Sequence, residues 1–390
     1  MPTAHPFSAT LLMATVLVGA DICPIERGRP LFEAGDADAL FHDLLPDLRQ
    51  ADYSIVNLEC PLIHRPTPIL KTGPTFGESP RCIAGLKAAG IRAVGLANNH
   101  IMDHGPEGLA STLEACRAAG IETVGAGPDL AQAGQPLLTQ IGKLRLAILA
   151  TAEREFSIAG PDKPGANPLD LIATTRRLAE LRTRSDFRIV LYHGGDEFLV
   201  PSPRVQDTCR FLVEMGADAV FVQHPHVLGG IETHLGRPIV YGQGALVMDE
   251  AIYRSRASFH EGFLARLNIA DDATSTLDIL PFEQFVTTTG ARRLSGERDR
   301  EFRRSLAERS ARLADPEAVA REWKEFCLRN QNSYMSSLLA HGRILGRLNR
   351  SGWVTRSLYR RTSLLQARNV ALCETHREVV QTLFEGGWQP

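Results

Sequence analysis

Five short apolar runs in this chain each stop at a carboxylate, an amide or an imidazole, and this constrains the fold more than any other feature. Leu11 to Gly19 leads to Asp21, Tyr53 to Val56 leads to Asn57 and Glu59, and Ile91 to Leu96 leads to Asn98, Asn99, His100 and Asp103. Phe187 to Tyr192 stops at His193-Gly194-Gly195-Asp196-Glu197, and Ala219 to Val222 stops at His224-Pro225-His226. Apolar runs this short, bounded by turn residues, read as buried strands. In open α/β sheets ligands bind beyond the carboxyl ends of the strands, so such strands gather their polar side chains along one edge. Each turn alone reads equally well as a cap, with Asn in a left-handed conformation and Asp accepting the first amides of a helix. Three histidine-bearing turns together point to a shared site. An amide, an imidazole and a carboxylate on one turn can bind a metal through oxygen and nitrogen while keeping a proton donor beside it.

Between these runs the spacing predicts amphipathic helices over 36–50, 81–90, 105–119, 167–183 and 203–215, and a Pro-, Gly- and Thr-rich loop over 61–80 that covers the site. Paired runs at 137–141 and 144–150, and again at 229–234 and 238–241, predict hairpins. Phe263 to Ile269 and Ser275 to Phe282 supply the last strands of this unit. Strands and helices alternate first and hairpins accumulate later, which fits an α/β fold with a pair of mixed sheets flanked by helices.

A 390-residue chain with net charge −2 gives no bulk attraction to nucleic acid. Its seven cysteines are scattered without a C-x-x-C, which argues for reduced thiols in a cytoplasm. Leu11 to Gly19 lacks a basic segment before it and runs directly into Asp21, so it reads as the first strand and not as a targeting signal. After about residue 285 the character changes, and periodic leucines among many charges predict helices at 297–313 and 316–330. From Phe326 to Cys373 there is no Asp or Glu, while eight arginines alternate with Leu, Trp353 and Tyr359. This stretch reads either as a solvated helical appendage or as a cationic amphipathic surface for anionic lipid or polymer. The expected division is therefore 1–285 and a helical, Arg-rich extension over 286–390.

The blocks Gly19-Ala20-Asp21, Asn57-Leu58-Glu59, Ala97 to Gly105, His193 to Glu197, His224 to His226 and Tyr241 to Leu246 occur in the order of a known pattern. Over about residues 12–285 the chain resembles the CapA family of bacterial capsule or poly-γ-glutamate synthesis proteins, whose domain is similar to the calcineurin-like metallophosphoesterases. The resemblance implies a four-layer α-β-β-α sandwich holding one or two divalent ions (Mn, Fe or Zn). Implied ligands are Asp21, Glu59, Asn99, His193, His224 and His226, with Glu59 bridging if two ions bind. His100 would be the proton donor to a leaving group, and Asn57, Asn98, Asp103 and Glu197 would orient the ligands. The chain departs from metallophosphoesterases at Asp21-Ile22-Cys23, where they carry D-x-H. It departs from the family it resembles at Tyr241-Gly242-Gln243-Gly244-Ala245-Leu246, where Y-S-x-G-N-F is usual.

Three functions are compatible with these residues. The first is metal-dependent hydrolysis or processing of a phosphate- or carboxylate-rich cell-envelope polymer or its precursor. The second is metal-independent peptide epimerisation, with Asp21 and either His226 or His100 as the acid/base pair. The third is a non-catalytic assembly factor whose arginine-rich region contacts a membrane periphery or a synthase.

Overall fold

The computed structural model describes residues 12–71, 73–196, 201–339 and 342–372; Glu197 and Cys373 lie outside them. The strands are β1 (Leu12–Cys23), β2 (Tyr53–Leu58), β3 (Ala93–Gly95), β4 (Glu122–Val124), β5 (Ala126–Gly127), β6 (Leu137–Ile141), β7 (Leu144–Ala152) and β8 (Gly165–Ala166). They continue with β9 (Phe187–His193), β10 (Ala219–Gln223), β11 (Ile231–His234), β12 (Arg237–Val240), β13 (Ala245–Met248), β14 (Glu261–Ala270), β15 (Ser275–Gln284) and β16 (Ala291–Arg293).

One sheet runs β16-β15-β14-β1-β2-β3-β4 with β13 also pairing to β1, and a second runs β11-β12-β10-β9-β7-β6. Within the first, β1 to β4 are mutually parallel; within the second, β7, β9, β10 and β12 are. Parallel strands buried on both faces need an apolar side chain at nearly every position, which is why these runs lack strict alternation. In β9, Ile189 and Leu191 join the core between the sheets, whereas Val190 and Tyr192 join a second core with Leu178, Val205, Cys209 and Leu212 of the helices Leu171–Leu181 and Pro203–Glu214. The outer face of the first sheet is covered by Phe32, Leu40, Leu48, Leu86, Leu109 and Cys116 from the helical segments between β1 and β4. The result is four layers, α-β-β-α.

Both expected hairpins are present, β6–β7 and β11–β12, each antiparallel. The single helix expected over 36–50 is instead broken into Ala37–Phe41, a 3₁₀ turn His42–Leu44 and Leu45–Gln50. Pro46 lacks the amide that an uninterrupted helix would need there. The apolar face survives the break, since Leu40, Phe41, Leu44, Leu45 and Leu48 are all buried. The helix expected from 167 begins at Leu171 because Asp170 caps it, accepting from the Ala173 amide.

Compactness divides the chain at Val319 and Ala320, later than the boundary expected at 285. The intervening helix Gly296–Leu313 belongs to the first unit, for Phe302, Leu306 and Leu313 are buried, and Phe302 meets Phe263 edge-on at 6.3 Å. Among the described residues no helix is long and apolar enough to cross a membrane.

Two residues of the Tyr241–Leu246 block have structural uses. The Gln243 amide is buried and donates to the carbonyls of Val18 (2.9 Å) and Phe263 (3.1 Å), joining β1 to β14. At Gly244 (φ 80°) a Cβ would stand 2.4 Å from the Glu261 carbonyl, so only glycine fits. Just past β13, the buried Asp249 takes paired hydrogen bonds from Arg27 (2.7 and 2.8 Å) and Arg254 (2.9 and 2.8 Å), fixing the loop that follows β1. Burial alone would raise this carboxyl; the hydrogen bonds from Arg27 and Arg254 outweigh it and hold it below the usual carboxylate range. A depressed folded pKa contributes stability that is present above the unfolded value of about 3.9 and is lost as pH falls below it. Thermal melts should accordingly show wild type losing more stability than Asp249→Asn on acidification below about pH 4; parallel losses would remove this role.

Candidate metal centre

The carboxyl ends of the parallel strands in the two sheets face each other. Asp21 lies opposite Asn57 in the β1–β2 register, and Glu59 follows β2 directly. Gly95 of β3 lies beside Asn57, which places the Asn98–Asn99 turn at the same edge. In the second sheet His193 is the last residue of β9 and pairs with Gln223, the last of β10. The Gln223 amide donates to the Gly19 carbonyl at 3.1 Å, tying one sheet edge to the other. His224 then turns the chain at φ 92°, a left-handed conformation costly for a residue with a Cβ. Its backbone amide donates to Asp21 Oδ2 at 2.8 Å, so the strained turn is held by the site itself.

These ends bring together Asp21, Glu59, Asn99, His193, His224 and His226. Glu59 Oε1 lies 3.3 Å from His193 Nε2 and 3.9 Å from His224 Nδ1, while its Oε2 lies 3.1 Å from His226 Nε2. Asn99 Oδ1 is 3.0 Å from His193 Nε2, and Asp21 Oδ2 is 3.7 Å from His226 Nε2. Two donor groups result, Glu59-His193-His224 and Asp21-Glu59-His226, with Glu59 common to both. Asn57 and Asn98 stand behind them. The Asn98 amide donates to Asn57 Oδ1 (3.1 Å) and to the Leu58 carbonyl (2.9 Å), which turns the Asn57 amide toward Asp21 Oδ1 at 2.7 Å.

The charges make the centre receptive to a cation. Burial raises Asp21, and the neighbouring Glu59 carboxylate raises it further. For Glu59, burial is outweighed by His226 and by hydrogen bonds from the three histidines, which hold it well below its usual range. Burial lowers His193, against the pull of Glu59, and so favours the neutral ring. Two carboxylates that are each about 1% exposed thus share one space with imidazoles. A donor set of imidazole, carboxylate and amide oxygen fits a divalent ion such as Mn, Fe or Zn. Cys23 belongs to neither group; burial, foremost, and contact with Cys60 push its thiol well above the usual range, so it packs as a small apolar side chain.

His100 stands apart from both donor groups. Its Nδ1 lies 2.7 Å from Asp103 Oδ2, its ring packs 4.5 Å from that of Phe76, and its backbone amide donates to Asn98 Oδ1 at 3.1 Å. Asp103 also accepts from Lys71 Nζ (2.6 Å) and from the Phe76 amide (2.7 Å). Lys71 and Phe76 come from the 61–80 loop, and sequence reasoning passed over both. The available signal was a lone lysine in a Pro/Gly/Thr-rich segment opposite an acid-bearing turn. Glu155, whose Oε2 is 3.5 Å from the Asn99 amide, was likewise missed. Glu197 lies outside the described residues.

Residues 15–250 match the family described as bacterial capsule synthesis protein PGA_cap. The chain is 26% identical over 290 residues to the capsule biosynthesis protein CapA of Bacillus anthracis, covering 72% of this chain and 69% of that one. It is also 26% identical over 288 residues to the PGA biosynthesis protein CapA of Bacillus subtilis, covering 72% and 74%. Among solved structures, a hypothetical protein from Thermus thermophilus aligns with TM-score 0.46 and 17% identity, over 69% of this chain and 99% of the other.

Proposed function

We propose, from the premise that the chain belongs to the bacterial capsule synthesis protein PGA_cap family, that it serves capsule or poly-glutamate synthesis through metal-dependent hydrolysis or processing of a phosphate- or carboxylate-rich polymer or its precursor. The observation that carries this reading is the pair of buried donor groups sharing Glu59. One ion would be held by Glu59, Asn99, His193 and His224, and a second by Asp21, Glu59 and His226. A bound divalent ion would polarise a phosphoryl or carboxyl oxygen and offset the charge that develops on it.

The chain's own residues account for the proton. With Nδ1 of His100 fixed on Asp103, Nε2 is the ring atom left to hold a proton and deliver it to a departing oxygen. Lys71 offsets the Asp103 charge, and Phe76 covers one face of the imidazole. The 61–80 loop thereby limits water at the donor.

Peptide epimerisation by Asp21 and His226 has less support. A base and an acid serving opposite faces of an α-carbon need that carbon between them, yet these two groups are 3.7 Å apart and buried. Elemental analysis should find Mn, Fe or Zn in the purified protein. His224→Ala should weaken metal binding by the Glu59-His193-His224 group, and the hydrolysis of a generic phosphoester, by about tenfold or more, while the second group keeps its ion. Protein free of metal after growth in supplemented medium would overturn the reading.

A further inference from the structure

We propose that the C-terminal helices spanning 328–365 dock on an anionic phospholipid surface. Of the nineteen large hydrophobic residues exposed among those described, nine fall between Leu328 and Leu365. Ile344 is 78% exposed, Leu358 64%, Trp353 61% and Leu348 57%, levels at which a helix that only packed on protein would carry polar side chains. Leu328, Tyr334 and Leu338 sit on the helix Pro316–Leu338, and the other six on the short helices Arg343–Leu348, Trp353–Leu358 and Arg361–Leu372; residues 326–373 hold eight arginines and no acid.

Arg329, Arg347 and Arg350 line an open cavity of about 530 Å³ together with Ser333, Ser336 and Ser337. Guanidinium and hydroxyl donors around one concavity suit a phosphate-bearing headgroup. Arginine stems cover apolar surface while their charges stay in water, and Trp353 combines an apolar ring with an N–H suited to the headgroup boundary. A soluble polyanion is recognised by charge and gives no reason for Ile344, Trp353 and Leu358 to remain in water. A bilayer surface accounts for both the charges and the apolar side chains. The proposal stands independently of the metal centre.

Full-length protein should sediment with phosphatidylcholine vesicles containing phosphatidylglycerol at physiological ionic strength, and not with phosphatidylcholine alone. Arg347→Gln with Arg350→Gln should weaken binding by about fivefold per arginine. Trp353→Ser and, separately, Leu358→Ser should each weaken it by roughly tenfold. All these positions are exposed, so circular dichroism and metal content should match wild type. Equal binding to neutral vesicles, binding to neither, or unchanged binding by both apolar variants would overturn the proposal. Unchanged binding by both, with poly-glutamate retained on the column-bound protein, assigns the face to a polyanion.

Discussion

Glu59→Gln should abolish metal loading, lowering affinity by more than the ~10–100-fold that follows loss of a group supporting a ligand. Glu59 is the one side chain common to both donor groups, and each of its oxygens faces a different set of imidazoles. Glutamine keeps the volume but supplies a neutral oxygen and a donor where the histidines also present ring nitrogens. Every other ligand change weakens one group and leaves the other. In the metal-free protein the three histidines hold Glu59 well below its usual range, so its ionised form stabilises the fold at neutral pH, partly offset by repulsion from Asp21. Chelated Glu59→Gln should therefore melt below chelated wild type, while the rise in melting temperature on adding Mn or Zn disappears. A variant that still shows that rise would remove Glu59 as the shared ligand.

Asp103→Asn should be the most destabilising conservative change around the site, costing about 3–5 kcal/mol in chelated protein. The Lys71 side chain is 3% exposed and the Asp103 side chain fully buried, so neutralising the acid strands an ammonium away from water. The Phe76 amide and His100 Nδ1 lose their charged acceptor with the same substitution. Lys71→Met added to Asp103→Asn should recover much of the loss, because removing both charges costs less than leaving one. Urea denaturation of the single and double variants measures the coupling; additive losses would show that Lys71 and Asp103 do not act as a pair. In the loaded protein Asp103→Asn should also lower turnover by roughly 10²-fold if His100 is the proton donor, a loss that Lys71→Met should not restore.

The candidate site was legible because its donors follow short apolar runs, and the burial that makes a strand continuous also makes its polar end conspicuous. Asp21, Asn57, Glu59, Asn99, His193, His224 and His226 were all readable in this way. Lys71, Phe76 and Glu155 were not, since they come from loops without periodicity, where an isolated lysine or acid looks like any solvated residue. Gln243 stands where the family pattern accepts any residue, yet its amide joins two strands whose adjacency no local pattern reveals. The break of the helix after Phe41 was signalled by Pro46, but the leucine spacing that dominates the segment is indifferent to it.

By itself, the sequence determined most of the alternation of strands and helices, though not β13 or β16, together with the two hairpins and the residue types at the site-bearing strand ends, because these depend on neighbours a few positions away. Only the tertiary structure decided that β1 and β10 end against each other, that Glu59 reaches three histidines from two strand ends, and that a loop lysine is buried on Asp103. Those contacts join residues far apart in the chain. They are fixed by how the sheets pack through a shared apolar core, a property of the whole fold that no local stretch carries.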